Sequence, residues 1–125
     1  MRLSKGMLLA CGAAAILFAA VATRAQNNDT WDGGGGDDNW GTGNNWVDNT
    51  APSLNSQVNF AGSIRTTPFF NYGSFDAMYR IFFNSGASSF TLNGNSIKLA
   101  DFGGNVPKVE NSGSNKQPLQ FANLS

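Results

Sequence analysis

The residues whose types and spacing could do chemistry lie between Gln26 and Pro52, around a run of glycines. Three tryptophans there, Trp31, Trp40 and Trp46, offer flat aromatic faces of the kind that stack on sugar rings, so an exposed group of them could bind carbohydrate. We favour a structural alternative, in which the tryptophans cover the open end of a stack of β-strands. Such an end leaves unpaired strand and apolar core in contact with water, and bulky aromatic side chains can cover both.

Five aspartates in the same region suggest two other kinds of chemistry. Calcium needs several oxygen ligands on a flexible loop, but the sequence has neither the EF-hand spacing nor the repeated nonapeptide of calcium-binding β-rolls. Asp37 and Asp38 could act as the carboxylate pair of a glycosidase, yet adjacent side chains on a glycine-rich loop lack the burial that would separate their pKa values. We therefore predict a solvated acidic loop without metal or catalytic function. The five residues are Asp29, Asp32, Asp37, Asp38 and Asp48.

The composition of the 125-residue chain excludes several classes of function. There is no histidine, which rules out a Ser-His-Asp or Cys-His nucleophile and an imidazole metal site. Eight basic residues balance eight acidic ones, and this net charge of zero argues against nucleic acid, which needs a basic surface. We predict a single domain that is not an enzyme, with no cofactor and no nucleic-acid partner.

The segment 1–25 differs in composition from the rest and predicts a helical secretory signal peptide. Arg2 and Lys5 form a basic start, residues 6–22 carry no charge, and small-x-small cleavage sites end at Ala22 and Ala25. A retained membrane anchor is the alternative, but the apolar run is short and rich in alanine for a span. We expect a secreted or outer-surface protein, cleaved after Ala22 or Ala25 and without a membrane span afterwards.

Cleavage would change the chemistry of the remaining chain. Cys11, the single cysteine, lies in the apolar part of the signal, so the mature chain would have no disulfide, no thiolate and no cysteine metal site. Five basic residues would remain with eight acidic ones, a net charge of −3. The many Asn, Gly and Ser residues suit turns and exposed strand faces rather than helices.

Beyond the signal, the chain divides into two segments. Residues 26–56, rich in Asn, Asp, Gly and Trp, predict an irregular N-terminal cap, because the glycine run would interrupt any helix or strand. Residues 57–125 contain short apolar runs between Gly, Asn and Ser, several with the alternation typical of strands. These runs are 58–60, 79–83, 90–92, 97–99, 108–109 and 119–121.

Two arrangements of these strands fit the local sequence: a meander of hairpins, and the coils of a parallel β-solenoid. The Asn93-Gly94 pair supplies the positive φ that a tight turn needs in either arrangement. Spacing favours the solenoid, because run 81–83 follows run 58–60 by 23 residues and run 119–121 follows run 97–99 by 22, each about the length of one coil, which would stack the two runs of each pair on each other. We predict about three coils in residues 57–125, with a core that contains Phe60, Ile81, Phe83, Phe90, Leu92, Ile97, Leu99 and Val109.

An ordered set of short motifs resembles one known family. Residues 30–40 are Thr-Trp-Asp-Gly-Gly-Gly-Gly-Asp-Asp-Asn-Trp; Asn-Trp at 45–46, Ala-Pro at 51–52 and Val-Asn-Phe-Ala-Gly at 58–62 follow. Arg-Thr-Thr-Pro at 65–68, Ile-Phe-Phe-Asn-Ser-Gly-Ala at 81–87 and Phe-Thr-Leu-Asn-Gly-Asn-Ser-Ile at 90–97 come next. In this order, the motifs are similar to the opening of autotransporter-associated β-strand repeat proteins. The likeness covers most of residues 29–99.

The resemblance implies a non-catalytic passenger module, secreted or displayed at the cell surface, with a structural or adhesive role. Its fold would be all-β, the start of a right-handed parallel β-helix, and its partners would be surface polysaccharide or other passenger chains. Members of the family are longer and often end in an outer-membrane barrel or a sorting tail, so we expect this chain to be the N-terminal portion of such a protein. The alternative is a small secreted carbohydrate-binding β-sandwich that uses the three tryptophans.

Overall fold

The computed structural model describes residues 27–74 and 76–125, so the predicted signal peptide at 1–25 lies outside the described residues. The described part is almost entirely β-structure, with one 3₁₀ turn, Gly43–Asn45, and it has no helix long and apolar enough to cross a membrane. Its strands are β1 (Asn28–Trp31), β2 (Gln57–Phe60), β3 (Phe69–Phe70), β4 (Asp76–Met78), β5 (Arg80–Phe83), β6 (Leu92–Gly94), β7 (Ile97–Leu99), β8 (Lys108–Asn111) and β9 (Leu119–Phe121).

These strands form three sheets, and all the pairings between them are parallel. Sheet 1 has the order β1-β2-β5-β8, sheet 2 the order β3-β6-β9, and sheet 3 contains β4 and β7. Because neighbours in each sheet come from successive passes of the chain, the backbone winds around the three sheets about three times, as a β-solenoid. The predicted all-β fold with stacked parallel coils is confirmed, and the alternative of a hairpin meander is wrong.

The apolar spacing predicted one of two strand pairings. Val58 pairs in register with Ile81 of the next coil, as the sequence indicated. The predicted pairing of the run at Ile97 with the run at Leu119 is wrong, because Leu119 pairs with Leu92 in sheet 2 whereas Ile97 lies in sheet 3. Both runs have the same alternation, so the pattern itself does not say which of the three sheets a run belongs to.

The glycine-rich segment before β2 contributes a strand of its own. All four residues of β1 pair with β2, and Asn39 forms a parallel bridge to Phe69 beside sheet 2. Turns, loops and the single 3₁₀ turn make up the rest of this segment. The first pass around the solenoid therefore begins at Asn28, well before residue 57.

Strand alternation places the apolar residues inside the coils. The predicted core residues Phe60, Ile81, Phe83, Phe90, Leu92 and Ile97 are all fully buried, and Leu99 packs against them. Val109 is a correction, because its exposed fraction is 37%. It occupies the inward position that Ile81 holds one coil earlier, but β8 is the last strand of sheet 1 and no further coil covers it.

A close approach of two strands explains the glycine of the Asn93-Gly94 pair. Gly94 has a φ of +122°, and a Cβ there would lie 2.5 Å from the carbonyl oxygen of Phe70, its partner in β3. Only glycine combines that backbone conformation with that contact. The positive φ was expected in a turn, but Gly94 is the last residue of β6, and the chain turns at Asn95 and Ser96.

Candidate functional site

The three tryptophans lie together inside the first coil. The rings of Trp31 and Trp46 are 5.3 Å apart at 89°, and those of Trp40 and Trp46 are 6.0 Å apart at 79°, so both pairs meet edge to face. Phe60 of β2 packs below them, with its ring centre 5.4 Å from that of Trp40. This geometry favours contact between the positive edge of one ring and the negative face of the next.

Hydrogen bonds hold two of the three indole rings in place. Trp46 Nε1 donates to the carbonyl oxygen of Trp40 at 2.8 Å, and Trp31 Nε1 donates to that of Ile64 at 3.3 Å. Trp40 Nε1 is buried and has no acceptor among the described residues. The glycine run approaches the same region, since Asp32 and Gly33 both donate backbone hydrogen bonds to the Asn45 carbonyl.

Burial bears directly on the carbohydrate-stacking interpretation. The exposed fractions are 1% for Trp31 and 0% for Trp40 and Trp46, whereas a sugar ring needs an open aromatic face. Trp31 lines a cleft of about 360 Å³ beside Val47 and Ile64, but almost none of its surface reaches water. The structure thus places the tryptophans in the core of the first coil. The alternative of a β-sandwich is wrong, because sandwiches pair antiparallel strands.

Most of the acidic residues accept hydrogen bonds from turns nearby. Asp32 accepts from Gly34 N at 2.9 Å, and Asp48 accepts from Thr50 N at 3.1 Å. The hydroxyl of Thr42 donates to Asp37 at 2.9 Å. That bond, together with others from the Asn39 backbone and from amide side chains, lowers the pKa of the Asp37 carboxyl. A carboxylate held this way accepts hydrogen bonds at neutral pH and is poorly suited to act as an acid catalyst.

Asp38 has partners of its own on the next coil. Arg65 Nη1 donates to it at 3.2 Å, and the Thr67 hydroxyl donates to its other oxygen, also at 3.2 Å. The two carboxylates that could have formed a glycosidase pair, those of Asp37 and Asp38, are therefore bound by different groups. Among the described residues no group of three or more acidic side chains converges on a point where a metal ion could bind.

Asp29 is the exception among the aspartates, because it is buried. It pairs in register with Val58, so it occupies an inward position of β1, and only 8% of it is exposed. Its Oδ2 has no hydrogen-bond partner in the part of the chain that the structure describes. Burial raises the pKa of the Asp29 carboxyl, an effect that the nearby Ser56 hydroxyl partly offsets and that the charge of Asp48 adds to.

A second set of polar residues lies on the outer face of sheet 1. The parallel register aligns Asn28, Gln57, Arg80 and Lys108 in a row across all four strands. Their neighbours Val58 and the other apolar residues of each strand point inward, so this row points outward. Rows of this kind arise in a parallel solenoid because equivalent positions of successive coils stack directly.

Hydrogen bonds connect the row across the sheet. The Gln57 Oε1 accepts from the Tyr79 hydroxyl at 3.0 Å and from Arg80 Nη1 at 3.1 Å. The Gln57 Nε2 donates to Asn59 Oδ1 at 2.6 Å, and Asn59 Nδ2 donates in turn to Asn28 Oδ1 at 2.6 Å. Gln57, Asn59 and Tyr79 are nine-tenths or more buried, so this hydrogen-bond network is held in one arrangement.

The other end of the row carries the charges. Arg80 Nη2 and Lys108 Nζ both donate to Glu110 Oε2, the latter at 2.9 Å. The bonds from Lys108 and Arg80 lower the pKa of the Glu110 carboxyl, so it is ionised at neutral pH. The Arg80 guanidinium also lies over the Phe82 ring, 4.7 Å from its centre, a cation–π contact that fixes its plane.

The polar row and its neighbours line a cleft of about 450 Å³, the volume of a small-ligand site. Gln57, Tyr79 and Arg80 form its floor. Exposed side chains form its rim: Asn28, Asn105, Val106 and Lys108. The cleft contains hydrogen-bond donors and acceptors that could orient a polyhydroxylated ligand, and two cations that could attract an anionic one.

Sequence reasoning missed this cleft. A signal exists in hindsight, because Gln57, Arg80 and Lys108 each precede the first inward residue of their strand by one position. The separations along the chain are unequal, however, because the segment from β5 to β8, which contains β6 and β7, is longer than the segment from β2 to β5, which contains β3 and β4. A fixed repeat length would not have aligned all three residues.

Comparison with known proteins gave no match at any of three levels. No family model matches the chain. No curated protein is similar to it in sequence, and no solved structure is similar to it in fold, at a significant level.

Proposed function

We propose that the chain is a non-catalytic structural or adhesive passenger module, secreted or displayed at the cell surface and exported by the signal peptide at residues 1–25. It would be the N-terminal portion of an autotransporter-associated β-strand repeat protein, and its coils would continue a right-handed parallel β-helix. The observation that carries this proposal is the unbroken parallel stacking of β1, β2, β5 and β8 in sheet 1. A stack of this kind suits an extended surface scaffold, since its length grows by adding coils without changing the fold.

The use of the polar residues supports a non-catalytic role. In the first coil, Asp32, Asp37 and Asp48 bind turns, and Asp38 bonds with Arg65. Side chains committed in this way hold a loop in one conformation, which a scaffold needs. A glycosidase needs a pair of carboxyl groups of which one stays protonated to act as the acid, and the hydrogen bonds to Asp37 favour its ionised form instead.

The exposed last coil supports contact with other passenger chains. In sheet 1, β8 is paired on one side only, and Val109 exposes 37% of its surface on the inward side of the coil. An unpaired strand edge is a template for another strand. Further coils of the same protein or a neighbouring passenger chain would cover it.

Export can be tested with the full chain carrying a C-terminal tag in a Gram-negative bacterium. We expect a product that begins at Thr23 or Gln26, found outside the cytoplasm and digested by protease added to intact cells or recovered from the medium. N-terminal sequencing decides between cleavage after Ala22 and cleavage after Ala25. The control is Leu17→Arg, which puts a charge in the apolar run and should retain the full-length chain inside. A wild-type chain that stays uncleaved in the cytoplasm would contradict the proposal.

A further inference from the structure

We propose that the polar cleft on the outer face of sheet 1 binds a uronic acid residue of an acidic saccharide. The inference names a ligand for the surface role proposed above and to that extent rests on it. The sugar ring would lie between the buried floor and the exposed rim. Its carboxylate would meet Arg80 and Lys108, and its hydroxyls would meet the amides of Asn28, Gln57 and Asn105.

The balance of charge in the cleft favours an anion. Arg80 and Lys108 share one carboxylate, that of Glu110, which leaves this group with a net charge of plus one. As a whole, the chain after residue 25 is acidic, with five basic residues against eight acidic ones, and two of those five basic residues are here. A local excess of cations on an acidic protein attracts anions to that place rather than to the surface in general.

Arg80 has hydrogen-bonding capacity left for a ligand. Of the five N–H donors of a guanidinium, two have an acceptor among the described residues, and the one on Nε is buried out of reach of a ligand, which leaves two Nη hydrogens. The ring of Phe82 and the Gln57 amide hold the guanidinium plane in one orientation. A planar fork of donors with a fixed orientation matches a carboxylate, which can accept two parallel bonds.

The neutral residues of the cleft favour a saccharide over an acidic peptide. Amide side chains both donate and accept, as do the hydroxyls of a sugar, and the Tyr79 hydroxyl on the floor has the same property. Gln57 and Tyr79 are 9% and 7% exposed and bonded to each other, so they are already in position before a ligand arrives. A preorganised polar floor reduces the entropy that binding costs.

Isothermal titration calorimetry on the purified full chain tests the inference with two acidic probes, trigalacturonate and a hyaluronan tetrasaccharide. Galactotriose, which has the sugar ring but no charge, is the comparison ligand for charge. Hexaglutamate, which has the charge but no sugar ring, is the comparison ligand for the ring. We expect binding of at least one acidic probe and weaker or undetectable binding of both comparison ligands. Absence of binding by both acidic probes, or equal binding of galactotriose, would overturn the inference. Tighter binding of hexaglutamate would reject the saccharide in favour of an acidic peptide.

Variants locate the site. Lys108→Gln removes one exposed cation and should weaken the acidic probe by about 5- to 10-fold, whereas Lys98→Gln, an equal loss of charge on β7 of sheet 3, should change it less than about twofold. Glu110→Gln removes the competing carboxylate and should tighten binding several-fold. Circular dichroism confirms that each variant is folded. An equal effect of Lys98→Gln and Lys108→Gln would show binding outside the cleft and contradict the inference.

The outcome can be separated from that of the export experiment. A chain that is exported but binds neither acidic probe retains the proposed surface role and loses the ligand. A chain that binds trigalacturonate through Lys108 but stays in the cytoplasm retains the ligand site and loses the surface role.

Discussion

Individual side chains in the first coil differ in what they contribute, although their residue types are the same. Trp40 and Trp46 are both fully buried, but of these two only the Trp46 indole donates a hydrogen bond, to the Trp40 carbonyl at 2.8 Å. Trp40 Nε1 has no acceptor within the described ranges. Loss of a buried hydrogen bond costs free energy of folding in addition to the lost ring volume, so the two tryptophans should respond differently to the same substitution.

Replacing each of these tryptophans by phenylalanine tests the difference. We expect Trp46→Phe to lower the free energy of unfolding by about 2 to 4 kcal/mol, and Trp40→Phe to cost about 1 kcal/mol less, because no hydrogen bond is lost there. Urea unfolding followed by circular dichroism measures both values. Equal costs, or no cost in either variant, would mean that the tryptophans are not packed as described.

The buried Asp29 predicts an unusual dependence of stability on pH. Because burial raises its pKa above the usual value of 3.8, the folded state binds the proton more tightly than the unfolded state does. The contribution of Asp29 to stability is therefore fully present below pH 3.8 and is lost as the pH rises through the folded-state pKa. Asp37 and Glu110 act in the opposite direction, since their pKa values are lowered and their contributions disappear as the solution becomes acidic.

Asp29→Asn should accordingly raise the melting temperature at pH 7 and have little effect at pH 3. The exposed Asp101→Asn is the control, because an asparagine there can still accept the hydrogen bond from Gly104 N. Thermal unfolding at both pH values gives the comparison. A lower melting temperature for Asp29→Asn at pH 7 would show that the ionised carboxylate is stabilising and that its charge is paired in the folded protein.

At the scale of the elements, backbone contacts between neighbouring strands fix positions that the β-propensity of single residues does not predict. Gly94 ends β6 with a φ of +122° and lies against the backbone of Phe70 in the neighbouring strand. A side chain there would meet two separate costs, the strain of the positive φ and a collision with an atom that cannot rotate away. Gly86 has open space around the position of a Cβ and no positive φ.

Gly94→Ala should lower the free energy of unfolding by about 2 kcal/mol or more, and the matched Gly86→Ala should change it by less than about 0.5 kcal/mol. Both values come from denaturant unfolding of the purified protein. Should the two substitutions cost the same, the close approach of β3 and β6 would be wrong.

How much the sequence could predict depended on the kind of information each element required. The inward positions of β2 and β5 followed from alternation and from the offset between their apolar runs, and Phe60, Ile81 and Phe83 are buried as expected. The prediction that Val109 belongs to the core is wrong because burial at the end of a stack depends on whether another coil follows. The local alternation of apolar residues does not contain that information. The run at Ile97 was paired with the wrong partner because three sheets share one kind of strand.

The sequence alone could not predict the cleft. Its residues come from β1, β2, β5 and β8 and from the chain just before β5 and before β8, and unequal coil lengths separate them along the sequence. Their juxtaposition follows from register, which requires the fold to be known. The burial of the tryptophans is similar, because residue type does not say whether a ring in a glycine-rich segment faces water or the interior.

For the whole molecule, the solenoid divides the side chains by direction. Inward positions make one apolar core from Trp31 to Ile97, and outward positions of sheet 1 make the polar row with its cleft. Most contacts between coils join direct neighbours, although the Phe121 ring also reaches Phe70 two coils away, across Gly94, with 6.1 Å between the ring centres. Stability therefore accumulates largely coil by coil, and the last coil is the most exposed. The same geometry therefore produces the core, the ligand cleft and the open edge at β8.

The direction of the strands is the claim on which the core, the cleft and the edge all depend. Nuclear Overhauser spectroscopy of the isotope-labelled protein measures it directly, because parallel and antiparallel neighbours bring different backbone protons together. We predict amide-to-Hα contacts that join Gln57–Phe60 to Arg80–Phe83 and these to Lys108–Asn111, in the register Val58 to Ile81 to Val109. Strong Hα-to-Hα contacts between strands adjacent in sequence, such as Leu92–Gly94 and Ile97–Leu99, would show antiparallel hairpins and contradict the account.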